Sequence, residues 1–194
     1  MPSDPRIHHI RTARELTALE STVRQELVAA LELRGPSTVA ELAHELARKP
    51  ESLYYHVRAL ERVGLVEVAG ARPSRTRNRA EYRLRKRWIR TDPATQSPAF
   101  LAALARVYTS MLNLATGRMK AALKTRRSVR SGARRNLRVE QYNAHLDARG
   151  LAELNRRLDA VRSFLMENRA PSEAAEATSS HSVTLVHAPI ERSS

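Results

Sequence analysis

Two runs of side chains are equipped for chemistry. In Pro50-Glu51-Ser52-Leu53-Tyr54-Tyr55-His56-Val57-Arg58, the apolar Leu53 and Val57 stand four apart and Leu60 follows three later. Placed inward on a helix, they turn Glu51, Ser52, Tyr54, Tyr55 and, one turn on, Arg58 outward. A serine hydroxyl bonds a base or a phosphate, a tyrosine ring suits a thymine methyl, and a guanidinium suits guanine or phosphate. Neighbours on a helix lie about 100° apart, so Tyr54 and Tyr55 cannot both be buried with Leu53. His56 is expected to pack inward or close a local polar contact. The second run is AGARPSRTRNRA, which sets Arg72, Arg75, Arg77 and Arg79 among Gly, Pro and Ser. From Gly70 to Arg90 there are nine Lys or Arg and one acid, Glu81. Such a ribbon tracks a phosphate backbone or drops an arginine into a minor groove.

Catalysis finds no comparable support. There is no cysteine, hence no thiolate nucleophile, disulfide or Cys-based metal site. No Gly-rich phosphate loop, Ser-His-Asp arrangement or metal-ligand spacing is visible. His8-His9 and His145-x-Asp147 do not make a four-ligand set. The expectation is a non-enzyme with no cofactor and no metal.

The two runs need elements to hold them. From Thr12 to Arg34, Leu16, Leu19, Val23, Leu27, Ala30 and Leu31 recur at helical spacing, which predicts one helix ending at Gly35-Pro36. Residues 1–11 read as a short polar arm. Thr38-Val39-Ala40-Glu41 is a capping box opening a second helix to Ala47, with Val39, Leu42 and Leu46 inward. Pro50 suits the first turn of a third helix running to about Val63, and Gly64 ends it. Then the period becomes two: Leu65–Val68 and Glu81–Leu84 read as paired strands flanking the arginine loop.

Bulk properties point the same way. Lys and Arg number 34 against 20 Asp and Glu, a formal charge of +14, which favours a polyanionic partner. Hydrophobic residues make up 42% and aromatics 4%, so a core must rest on Leu, Val and Ala. No apolar run nears the ~18 residues of a membrane span, and MPSDPRIHHIRT has no signal-peptide core. A cytoplasmic protein without a membrane role is expected.

The run TVAELAHELARKPESLYYHVRALERVGLVEV, followed by a basic loop and AEYRL, resembles the ArsR-type winged helix-turn-helix of bacterial repressors over about residues 20–88. The resemblance implies a homodimer that sets one recognition helix, Pro50–Val63, in each of two adjacent major grooves of a near-palindromic operator. The helix opened by Thr38 crosses the DNA backbone, and Thr38 joins the DNA-contacting set. The cysteines through which many members of that family sense metals are missing here.

Residues 12–90 are thus expected to be the DNA-binding domain, and 99–194 a C-terminal region for dimerisation with room for a small-molecule effector. A helix from Ala99 to Lys124 carries Phe100, Leu101, Leu104, Val107, Tyr108, Met111 and Leu112, more apolar surface than one winged domain covers. Residues 137–146 fit a strand or a helix. Asp147 reads as the N-cap of a helix from Gly150 to Asn168, with Leu151, Leu154, Leu158, Val161 and Leu165 inward. Residues 171–180 are low-complexity, and Ser182–Ile190 has strand composition, so a small β-α-β layer is expected. From Arg118 to Arg138 there are nine basic residues and no acid. The fold class is mainly α (α+β). The expected function is a sequence-specific, homodimeric transcriptional repressor bound to double-stranded DNA; the alternative is a non-specific architectural DNA- or RNA-binding protein.

Overall fold

The computed structural model describes residues 5–72, 79–126, 128–168 and 180–190. In order the elements are β1 (Ile7–Ile10), α1 (Ala13–Leu19), α2 (Thr22–Arg34), β2 (Ser37–Thr38), α3 (Val39–Glu45), α4 (Pro50–Arg62), β3 (Val66–Arg72), β4 (Arg79–Leu84), β5 (Trp88–Thr91), α5 (Pro98–Leu123) and α6 (Ala148–Glu167). The chain divides into two compact units. One takes in the chain to Lys120 together with the residues from His181 on, and the other is Ala121–Ser180. The class is α+β, a winged helix-turn-helix with further helices.

The single helix expected over Thr12–Arg34 is two. Thr12 caps α1 through a reciprocal box with Glu15, and Ser21 starts α2 in an extended conformation. The break holds because side chains of α2 satisfy the carbonyls left over at the end of α1. Arg24 Nε donates to the Ala18 carbonyl, and Gln25 Nε2 donates to that of Leu19 at 2.8 Å. Leu16, Leu19 and Leu27 stay in one core across the break. That is why the apolar spacing does not reveal it.

The polar arm is also corrected. Ile7–Ile10 form β1, paired in parallel with β5 in the register Ile7↔Trp88 to Ile10↔Thr91. Ile10 is buried in the main core. His8 Nε2 lies 2.7 Å from Glu15 Oε1, and Arg11 Nε donates to Asp92 Oδ2 at 2.8 Å. Burial opposes ionisation of Glu15, yet hydrogen bonds from Thr12, His8 and the backbone amides of Arg11 and Thr12 outweigh it and lower its pKa. Two histidines between isoleucines hide the strand, because their period is not apolar.

The helix-turn-helix follows the expected plan. Gly35, at φ +79°, closes α2. Thr38 and Glu41 cap α3 reciprocally, and Pro50 sits in the first turn of α4. Gly64, at φ +73°, turns the chain so that the Leu65 amide bonds back to the Leu60 carbonyl at 3.1 Å. The wing sheet has the order β2-β4-β3. Its strands are longer than expected, reaching Arg72↔Arg79, with a bulge between Val68 and Gly70. Leu27, Leu42, Leu53, Leu60 and Leu65 are all at most 1% exposed. Each contributes about 1.5–3 kcal/mol relative to an exposed position.

On α5 the inner face is Phe100, Ala103, Val107 and Ser110. Leu101, Tyr108, Met111 and Leu112, expected in the same stripe, are exposed. Contrary to the expectation that no stretch reaches membrane-spanning length, α5 is 26 residues long with a window of mean hydropathy 1.2; its inner face nevertheless belongs to the core. In the second unit Asp147 caps α6 as expected, accepting from the Gly150 amide at 2.7 Å. Its apolar positions, expected inward, include no buried residue. Neither 137–146 nor 182–190 forms a helix or strand, so the β-α-β layer is absent among the described residues.

Candidate nucleic-acid interface

The reading surface starts with α4. Leu53, Val57 and Leu60 are buried, and this fixes the helix's rotation. Glu51, Ser52, Tyr54, Tyr55 and Arg58 are exposed on the other side. Tyr54 and Tyr55 are 49% and 63% exposed, a large aromatic area left to water. The Ser52 hydroxyl donates to the Lys49 carbonyl at 2.7 Å. Its proton is therefore engaged, and its oxygen remains an acceptor.

His56 turns partly inward. Its ring meets that of Tyr55 edge-on at 5.4 Å, and its Nδ1 is buried without a partner among the described residues. Burial, with the charges of Arg24 and Arg48 nearby, lowers its pKa. Both effects favour the neutral imidazole. Tyr82, in the wing behind α4, has its pKa raised by burial and by Glu61, with Arg58 opposing.

Thr38 sits differently from the exposed set. It is buried, its hydroxyl accepts from the Glu41 amide at 3.3 Å and donates to Glu41 Oε2 at 2.8 Å. Its backbone pairs with Glu81 in the wing sheet. Thr38 thereby positions α3 against the wing.

The wing stem brings Arg72 and Arg79 opposite each other at the end of the β3–β4 ladder. Arg75 and Arg77 lie outside the described residues. Further down, Arg83 is neutralised by Glu67 at 2.8 Å, and Arg85 lies 3.8 Å from the same carboxylate. Arg87 stacks over the Trp88 ring at 5.2 Å. Counting basic residues between Gly70 and Arg90 misses Glu67, which lies just before the interval yet pairs across the strands. Among the described residues no group of three or more His, Cys, Asp or Glu could hold a metal.

Comparison with known proteins agrees on the central element. Residues 19–69 match the family described as a helix-turn-helix domain, an interval running from the end of α1 into β3. A structure described as that of the transcriptional regulator homologue protein from Pyrococcus horikoshii OT3 is 22% identical, covering 50% of this chain and 82% of that one, with a TM-score of 0.29. A superposition that loose adds nothing to the assignment. No curated protein matches the chain.

Proposed function

We propose that the protein is a sequence-specific, DNA-binding transcriptional regulator. The observation that carries this reading is the division of α4. Its buried leucines and valine lock one face into the core, while Tyr54, Tyr55 and Arg58 stand exposed on a helix-turn-helix. Glu51 and Ser52 begin the same face, and the arginines of the wing (Arg72, Arg75, Arg77 and Arg79) grip phosphates beside it. Thr38 acts by placing α3.

The resemblance to ArsR-type repressors supports a finer reading: a homodimer on a near-palindromic operator, acting as a repressor in the cytoplasm. The exposed flank of α5, with Leu101, Tyr108, Met111 and Leu112, is the surface by which two copies associate. Residues 12–90 then form the reading domain and 99–194 the dimerisation region.

Selection of bound sequences from a random DNA pool tests this directly. A regulator enriches a motif with two half-sites spaced by about one helical turn. A pool that stays random after selection, with tight binding throughout, would instead make the protein an architectural DNA-binding protein.

A further inference from the structure

The segment from Arg118 to Arg138 holds nine Lys or Arg and no acid, and neither the reading helix nor the wing includes it. It begins on the last turns of α5. From Ser110, the last residue that α5 buries, to Leu123, where it ends, the helix runs on for about 20 Å. Basic side chains at a helix C-terminus commonly serve its leftover carbonyls. Here uncharged groups do that work. The amide and the hydroxyl of Thr125 both donate to the Ala122 carbonyl at 3.0 Å, and the Ser128 hydroxyl donates to the same oxygen. The Lys124 amide donates to the Ala121 carbonyl at 3.1 Å. The side chains of Lys120, Lys124 and Arg126 are not spent on the helix end.

Beyond it the chain closes a short loop. The Val129 amide donates to Asn136 Oδ1 at 2.7 Å, and the Asn136 amide returns to the Val129 carbonyl at 2.9 Å. The Leu137 amide shares that carbonyl at 3.2 Å. Gly132, at φ +75°, makes the reversal, and the Arg135 amide donates to its carbonyl at 3.3 Å. Arg130, Arg134 and Arg135 stand exposed on this loop. Arg135 lies in the field of Glu140, which pairs with Arg138. Arg130 and Arg134 have no acidic partner among the described residues. Closing the loop holds like charges together, and a bound polyanion relieves their repulsion.

The residues present select among polyanions. No Phe, Tyr or Trp occurs between Arg118 and Arg138, so there is no ring on which unpaired bases could stack. The arginines stand on a loop, not on an apolar-faced helix that could lie in a membrane surface. Guanidinium forks match phosphate oxygens in pairs. This chemistry suits the backbone of a duplex, held without regard to its bases.

We propose that the loop of residues 130–135, together with Lys124 and Arg126, is a second DNA-backbone contact that holds phosphates outside the base pairs facing α4. This contact presupposes the DNA-binding function proposed above.

The probe is a duplex recovered by the full chain from a random pool, compared with the same duplex extended by one helical turn, about 10 base pairs, at each end. The parent chain should bind the longer duplex more tightly and with a steeper salt dependence. Arg130→Gln combined with Arg134→Gln should erase that gain. On the longer duplex its log K against log salt slope should be shallower than the parent's by about 1.8, at 0.9 for each of two phosphates. Arg14→Glu, at an exposed position of α1, changes the net charge by the same amount and should leave the gain in place. The chain has no cysteine, so Ser131→Cys can carry an iron chelate at one place only, and it should cut the longer duplex within the added turns. A parent that binds neither duplex would overturn the DNA-binding function and this contact with it. Equal parental binding of the two lengths, a gain that survives in the double variant, an equal loss in Arg14→Glu, or cuts confined to the recovered sequence would overturn the contact alone. Binding to phosphatidylserine vesicles that the double variant loses, without any gain on the longer duplex, would likewise overturn it and assign the loop to a membrane surface.

Discussion

Tyr54 and Tyr55 are neighbours on α4 with different freedom. Tyr55 is held against the His56 ring, whereas Tyr54 stands on the same side as Arg58, one turn apart. Replacing Tyr54 or Arg58 with Ala should relax preference at particular base pairs by about 1–3 kcal/mol each. Binding measured across a panel of single-base operator variants checks this, since a backbone contact would weaken every variant equally. His56 supplies a pH dependence of stability. Its pKa is lowered in the fold, first by burial and then by Arg24 and Arg48, so below the ordinary value of 6.5 the unfolded chain binds more protons than the folded one. Its contribution is complete above about pH 6.5, and is lost progressively as pH falls from there towards the depressed folded value. Denaturant midpoints from pH 7.5 down to 5 should drop less in a His56→Gln variant than in the parent chain. Thr38 shows a local use of a helix-start hydroxyl: it is buried beside the sheet and donates to Glu41.

At the scale of elements, the wing and α5 carry the clearest consequences. Replacing Arg75, Arg77 and Arg79 together with Ala should weaken binding to all DNA while leaving the ranking of sequences intact. For each phosphate that is no longer neutralised, the log K against log salt slope should become shallower by about 0.9. A salt slope equal to that of the parent would turn the wing away from the DNA. For α5, Leu112→Asp puts a charge in the exposed apolar flank and should convert a dimer to a monomer in sedimentation equilibrium; no change in mass would move the interface elsewhere. The elements themselves were legible to different degrees. α3 and α4 could be read closely, because Thr38, Glu41, Pro50 and Gly64 are capping and stopping residues that act locally. The split between α1 and α2 could not, since it depends on Arg24 and Gln25 reaching back to carbonyls six residues away. α6 could be placed but its surroundings could not. Asp147 is a local signal, whereas burial of Leu151 or Val161 needs a surface supplied from elsewhere, and the described fold leaves that face open.

For the molecule as a whole, a charge of +14 on 194 residues makes non-specific attraction to DNA strong at low salt. Specificity should therefore be measured near physiological ionic strength, where the Debye length is about 8 Å. That excess remains after every acid is counted, those paired within the fold included: Glu67 with Arg83, Glu26 with Arg48, Glu45 with Arg34 and Glu20 with Arg106. The pairing of β1 with β5 has a bearing on how the chain is made. Arg11 and Asp92, which close the end of that pair, are 81 residues apart. At about 5–20 residues per second, the ribosome delivers the second strand roughly 4 to 16 seconds after the first. β1 therefore gains its strand partner only after α2, α3 and α4 have been made. Pairing of β1 with β5 is thus a long-range step, whereas the helices of the reading face close through contacts nearer in sequence.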